Sequence, residues 1–234
     1  MSKDVRDSPR ARALEIHRLL AEAYGERPHR PRLDPVSELV STVLSQNTND
    51  SLRDKAFARL RERFPTWEQV RDAPVEEIAS TIQLSGLAYQ KAKSIKEALQ
   101  RISAERGKLS LDFLKEMSVE EARSWLTSSR GIGPKTAAII MLFSLDMPAF
   151  PVDTHVHRVS QRLGLIPAGA SREKAHKILE ELLPPQIYYA FHLNLIAHGR
   201  QVCRAPRPRC EMCFLQEHCD YYLSNRTLMN AEKH

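Results

Sequence analysis

An all-α fold is predicted for this 234-residue chain by three observations. Apolar residues recur at helical spacing through most of it, and no segment shows the period-two alternation of a half-buried strand. Glycine is scarce, with eight residues, beside abundant Leu, Ala, Glu, Lys and Arg, which favour helix. The 42% hydrophobic share suits a globular domain or two with a real core.

The elements follow in order. A first helix runs from about Ser8 to Tyr24, and a basic, proline-broken link follows it to Pro35. Asp34 then Pro35 is a helix start, with proline at the first helical position. Leu39, Val40, Val43 and Leu44 share one face of that helix, which stops at Asn47-Thr48-Asn49-Asp50. Leu52, Ala56, Leu60 and Phe64 mark the next.

An internal repeat comes after them. Val75-Glu76-Glu77 and Val119-Glu120-Glu121 each open a helix, followed by a glycine-containing turn and a second helix near a lysine. The step from Val75 to Lys91 equals that from Val119 to Lys135. The first turn reads Ser85-Gly86-Leu87-Ala88-Tyr89 and the second Arg130-Gly131-Ile132-Gly133-Pro134. Ser118 with Glu121 forms a capping box. Beyond Lys135, residues 136–145 are apolar all round, as a core helix requires. Pro151 and the pair Asp153-Thr154 then cap a helix over His155–Gly164. Two more helices, near Arg172–Leu183 and Gln186–His198, lead to the cysteines.

A net charge of +6 suits a polyanionic partner, although a solvated basic surface gives the same balance. No segment approaches the roughly 20 apolar residues of a membrane span. The N-terminal MSKDVRDSPRAR lacks the apolar core of a signal peptide, so an intracellular, cytoplasmic protein with reduced thiols is expected.

All four cysteines fall in one short stretch, spaced Cys203-x6-Cys210-x2-Cys213-x5-Cys219. Four thiolates so close in sequence can surround a tetrahedral zinc or an iron–sulfur cluster, and the spacing leaves both open. The intervening loop carries Arg204, Arg207 and Arg209, with Pro206 and Pro208 stiffening it, which suits a grip on phosphate. Gly131-Ile132-Gly133 lets backbone amides approach an anion closely. Lys135 stands at the following helix start, where the dipole favours the neutral, nucleophilic amine, although a surface lysine binding phosphate would also fit. Asp153 reads equally as a helix cap.

Taken together, these residues resemble the endonuclease III family of helix-hairpin-helix base-excision glycosylases. The resemblance covers nearly the whole chain. It rests on GIGPKTA from Gly131 to Ala137, VDTH from Val152 to His155, the HGR before the cysteines, and the cysteine spacing itself. It implies two helical domains flanking a DNA cleft. A six-helix barrel with the hairpin would span 36–147, and residues 1–35 with 148–234 would carry a [4Fe-4S] cluster on Cys203, Cys210, Cys213 and Cys219.

The resemblance also implies the activity: a glycosylase and AP lyase removing oxidised pyrimidines from duplex DNA. Lys135 would attack the sugar to form a Schiff base, with Asp153 assisting, and β-elimination would cut the strand. The implied partner is double-stranded DNA with damaged bases or abasic sites, bound by a monomer without a membrane. The hairpin Gly131, Ile132 and Gly133 would meet the backbone, as would Arg204, Arg207 and Arg209. Leu87 matches a residue that fills the gap left by a flipped nucleotide. The second filling position departs from the family: glutamine is usual where Asn47 stands, and Gln46 is one step away. Ser129-Arg130 replaces a common Leu-Pro before the hairpin. Lys91, the rival lysine in the repeat, reads as structural or phosphate-facing. A monofunctional glycosylase, a non-catalytic hairpin protein on the same scaffold and a zinc-binding transcription factor are the competing readings.

Overall fold

A computed structural model describes residues 8–30 and 33–231, with side chains through residue 225. Residues 1–7, part of the stretch expected to lack a signal-peptide core, and Pro31-Arg32 of the basic link lie outside the described residues. Among the described residues there are twelve α-helices and no strand, and no helix is long and apolar enough to cross a membrane. They divide into two compact units: residues through His29 together with those from Pro148 onward, and Arg30–Met147.

Helix α1 (Pro9–Tyr24) opens the first unit. The Ser8 hydroxyl accepts from the Ala11 amide at 3.1 Å, and Pro9 needs no amide donor at the first helical position.

The second unit begins with α2 (Pro35–Ser45). Asp34 caps it as the sequence predicts, accepting from the Val36 and Ser37 amides at 3.1 and 3.0 Å. Every residue from Val36 to Leu44 is buried, so α2 runs through the core rather than along its surface. Helix α3 (Asp50–Arg63) turns Ala56 and Leu60 inward, with Phe64 just beyond its end, as the apolar spacing predicts. The six-residue α4 (Trp67–Asp72) follows, held by a Thr66–Gln69 capping box that sequence reading passed over. The repeat then supplies α5 (Val75–Thr81) with α6 (Ala88–Arg106), and α7 (Val119–Thr127) with α8 (Pro134–Ser144). The Ser118–Glu121 box forms: the Glu121 side chain accepts from the Ser118 amide at 2.9 Å, and Ser118 Oγ from the Glu121 amide at 3.3 Å. Helix α8 packs against α2, and most of its side chains are buried.

The two halves of the repeat differ in register. Lys91 is the fourth residue of α6, whereas Lys135 is the second of α8. At about 100° per residue, two positions turn a side chain to roughly the opposite face. Lys91 is only 3% exposed; Lys135 is exposed.

The first unit resumes with α9 (Thr154–Arg162), α10 (Arg172–Leu182), α11 (Tyr188–Gln201) and α12 (Asp220–Ala231). Two buried histidines fix the segment leading to Asp153: His176 Nδ1 bonds the Phe150 carbonyl at 2.7 Å and His192 Nδ1 the Pro151 carbonyl at 2.9 Å. Helix α9 begins at Thr154, one residue earlier than expected. Helix α11 begins at Tyr188, after the 3₁₀ turn Pro185–Ile187, and continues three residues past His198. The HGR sequence is therefore helical. Helix α12 had no apolar pattern that marked it in advance.

Ser118→Ala removes one half of the α7 capping box and should lower unfolding free energy by about 1 kcal/mol. Urea unfolding would show a lower midpoint at unchanged slope; an unchanged midpoint would mean that the cap contributes nothing.

Candidate active site and cysteine centre

The turn between α7 and α8 depends on Gly131 for two reasons. Its φ of +80° lies where side chains are strained, and a Cβ there would stand 2.5 Å from Ser94 Oγ. Ile132 is buried beneath the turn. Gly133 caps α8 with extended backbone, open space around it and no side-chain bond to the helix amides. The start of α8 therefore keeps amide donors available to an anion. Arg101 of α6 braces the turn from behind: its Nη1 donates to the Trp125 carbonyl at 3.0 Å and to the hydroxyls of Ser128 and Ser129 at 2.7 and 2.8 Å. Its guanidinium also stacks over Trp125, 4.2 Å from the ring centre. Lys135 and Arg130 are both exposed beside this turn.

Two loops of the same unit carry the other expected contact residues. Gln46 Nε2 donates to the Gly131 carbonyl at 2.8 Å, so its amide is committed to the hairpin. Asn47 is exposed, with φ +51°. Leu87 has φ +48° and is 52% exposed, an unusual state for a large apolar side chain. Lys91 lies beneath both loops. Its Nζ donates to the Leu44 carbonyl at 2.8 Å and the Ser85 carbonyl at 2.6 Å, and burial pushes its pKa down to about 8. Of the two roles expected for Lys91, the structural one holds.

In the other unit, Asp153 is the N-cap of α9, its Oδ1 accepting from the Val156 amide at 2.7 Å. The same helix reaches the cysteine segment through two arginines one turn apart. Arg158 donates to the carbonyls of Gly199 at 2.9 Å and Cys203 at 3.1 Å. Arg162 donates to Cys203 Sγ at 3.3 Å and to the carbonyls of Arg204 and Ala205 at 2.7 and 3.0 Å. Gly199 permits this closeness, because a Cβ there would lie 3.1 Å from both Cβ and Nδ1 of His155. His198 is buried between Tyr24 Oη, 3.0 Å from its Nδ1, and Cys213 Sγ, 3.6 Å from its Nε2; burial pushes its pKa down to about 4. Sequence reading missed both arginines of α9, whose only signal is their i, i+4 spacing behind Asp153.

The four cysteines line one pocket, with Arg162, His198 and Tyr221 in its wall. Among the described residues, no three His, Cys, Asp or Glu side chains converge closely enough to hold one metal ion. Three of the thiols resist ionisation as they stand. Burial pushes Cys213 up to about 11, and it raises Cys210 and Cys219 too, with the neighbouring sulfurs adding to the effect. Arg204, Arg207 and Arg209 are all exposed. Among the expected residues, the structure thus gathers the cysteines in one place, and Gln46 with the hairpin in another. Lys135 and Asp153 belong to different units.

Residues 40–185 match the HhH-GPD superfamily of base excision DNA repair proteins. The chain belongs to that superfamily. Within it, endonuclease III of Thermotoga maritima is 35% identical over 189 residues, covering 81% of this chain and 84% of its own. A putative DNA glycosylase of Arabidopsis thaliana is 40% identical over 162 residues, 69% of this chain but only 55% of its own length. Two solved structures of endonuclease III with DNA share the fold. A non-covalent complex has TM-score 0.79 at 27% identity, covering 93% of this chain and 98% of that one. A trapped covalent intermediate has TM-score 0.74 at 29% identity, covering 93% and 96%. This HhH-GPD protein thus shares both fold and sequence with the endonuclease III group.

Gly131→Ala should lower stability by about 1–3 kcal/mol, combining left-handed strain with the clash against Ser94. Chemical denaturation would measure the loss; an unaltered midpoint would mean that the turn relaxes freely. Arg162→Met keeps much of the bulk but leaves two backbone carbonyls unpaired. Limited proteolysis should then cleave the 203–209 segment at least several-fold faster than in the parent.

Proposed function

We propose that this HhH-GPD protein is a bifunctional DNA glycosylase/AP lyase that removes oxidised pyrimidines from duplex DNA. The observation that carries the reading is the placing of Lys135. In a chain of the endonuclease III group, its amine is exposed in the first turn of a helix whose amides are free for a phosphate. The buried counterpart Lys91 is already committed to two carbonyls.

Chemically, the damaged nucleotide leaves the stack. The neutral Lys135 amine attacks C1′, the bond from C1′ to the base breaks, and the base departs with a proton. Asp153 accepts the ammonium proton and offsets positive charge developing on the sugar. The nitrogen lone pair then expels O4′ from C1′, O4′ taking the proton held by Asp153, and the sugar opens to a protonated imine between Nζ and C1′. That imine acidifies C2′, and loss of a C2′ proton expels the 3′ phosphate oxygen. Phosphates would be held by the Gly131–Gly133 amides with Arg130, and by Arg204, Arg207 and Arg209. Leu87 and Asn47 would fill the vacated gap, since Gln46 already braces the hairpin.

Four thiols lining one pocket suit the donor set of a [4Fe-4S] cluster. Cys203, Cys210, Cys213 and Cys219 would be its ligands. When bound, a cluster supplies iron–thiolate bonds that cross-link the loop, and the steps at the sugar are assigned to Lys135 and Asp153 instead.

Borohydride reduction in the presence of abasic-site DNA should trap a covalent adduct that Lys135→Ala abolishes. Asp153→Asn should slow base release by at least about 100-fold, on the scale of general acid–base contributions. Base release without trapping would establish a monofunctional glycosylase, and neither would leave a non-catalytic DNA-binding protein. A brown protein with iron and acid-labile sulfide in equal amounts would support the cluster; colourless protein with one zinc would replace it.

A further inference from the structure

Besides Asp146, just past α8, two non-glycine residues of the second unit with exposed side chains have left-handed backbone, Asn47 and Leu87. Left-handed backbone strains a residue such as leucine, and such strain persists only where surrounding structure imposes it. The two residues lie 40 positions apart in sequence, on separate loops, yet one buried atom connects the loops. The Ser85 carbonyl oxygen accepts from Lys91 Nζ at 2.6 Å and also from Thr48 Oγ1. Lys91 Nζ donates in addition to the Leu44 carbonyl, at the end of α2. The first loop is thus held on both sides of Asn47, by Leu44 before it and Thr48 after it. The second is held at Ser85, two residues before Leu87.

A lysine this deeply buried carries a desolvation penalty that an apolar residue of similar length would avoid. What the lysine adds is reach to carbonyls on two loops at once. Resting on the reading above, we infer that Lys91 and Thr48 are positioning residues that couple the two loops, so that Asn47 and Leu87 enter the duplex as one wedge rather than as two independent fingers. Gly86 belongs to the same joint. Its φ of +65° turns the chain directly after Ser85, and a Cβ there would stand 4.0 Å from Thr48 Oγ1.

The test is a double-mutant cycle on DNA binding. Affinity is measured for a duplex containing a tetrahydrofuran abasic-site analogue and for the intact duplex, in the parent and in Asn47→Ala, Leu87→Ala and the double variant. In the parent background the two truncations should be non-additive by about fivefold or more, the usual size for residues acting together. In Thr48→Val, which deletes one hydroxyl at nearly constant shape, and in Lys91→Met, the effects should become additive to within about twofold. A 2-aminopurine placed opposite the analogue should correspondingly lose its single-step fluorescence change and show partial insertion.

Full non-additivity in both loop-coupling variants would overturn the inference, as would additivity in the parent. Thr48→Val keeps the test decisive if Lys91→Met folds poorly. Absence of any preference for the analogue over intact duplex in the parent would overturn the functional reading, and this inference with it. Preference retained beside independent truncations would overturn the coupling alone.

Discussion

The cysteine segment depends on guanidinium groups that satisfy its backbone. Between the end of α11 and the start of α12 the chain has only two short 3₁₀ turns, Cys210–Met212 and Gln216–His218. A stretch so poor in regular structure leaves carbonyls that no helix ladder can pair. Arg158 and Arg162 take those of Cys203, Arg204 and Ala205, while Arg12 of α1 takes those of Leu163 and His218 and also pairs with Asp220. Three charged forks thus do for this segment what hydrogen-bonded turns do for a helix. Because Asp153 caps the helix from which two of them project, the local frame of the carboxylate and the fixing of the cysteines share one rigid rod.

The hairpin in the other unit is secured differently. It relies on exclusion: Gly131 leaves room that Ser94 occupies, Ile132 plugs the space beneath, and Gly133 presents bare backbone. Arg101 supplies the only long side chain that grips the turn from α6. What is left outward is a set of amides with Lys135 and Arg130, because packing has used the inward face.

Much of this could be read in advance from local signals. Asp34-Pro35, Ser118 with Glu121 and Asp153 announce helix starts through their own side-chain bonds, which depend on residues three apart at most. The glycines of the hairpin and the cysteine spacing are likewise local. The sequence did not disclose features settled by distant partners. Arg162 meets its partners 41 to 43 residues away, and Arg12 meets Asp220 across 208. Helix α4 was too short for an apolar period, and α11 outran its expected end because Gly199 serves contact with His155 instead of ending the helix. The bond from Gln46 to the Gly131 carbonyl likewise spans 85 positions.

The repeat has a wider meaning. Two copies of one motif carry a lysine at the same distance from their first helix, yet α6 starts three residues before its lysine and α8 only one. The first helix has seven residues in one copy and nine in the other, so the second helix starts two residues later relative to its lysine. The point where that helix begins therefore acts as a rotary selector: it decides whether the same residue type is an internal fastener or is presented outward. A shift of the helix start by two residues would exchange the inward and outward faces with no change of residue type.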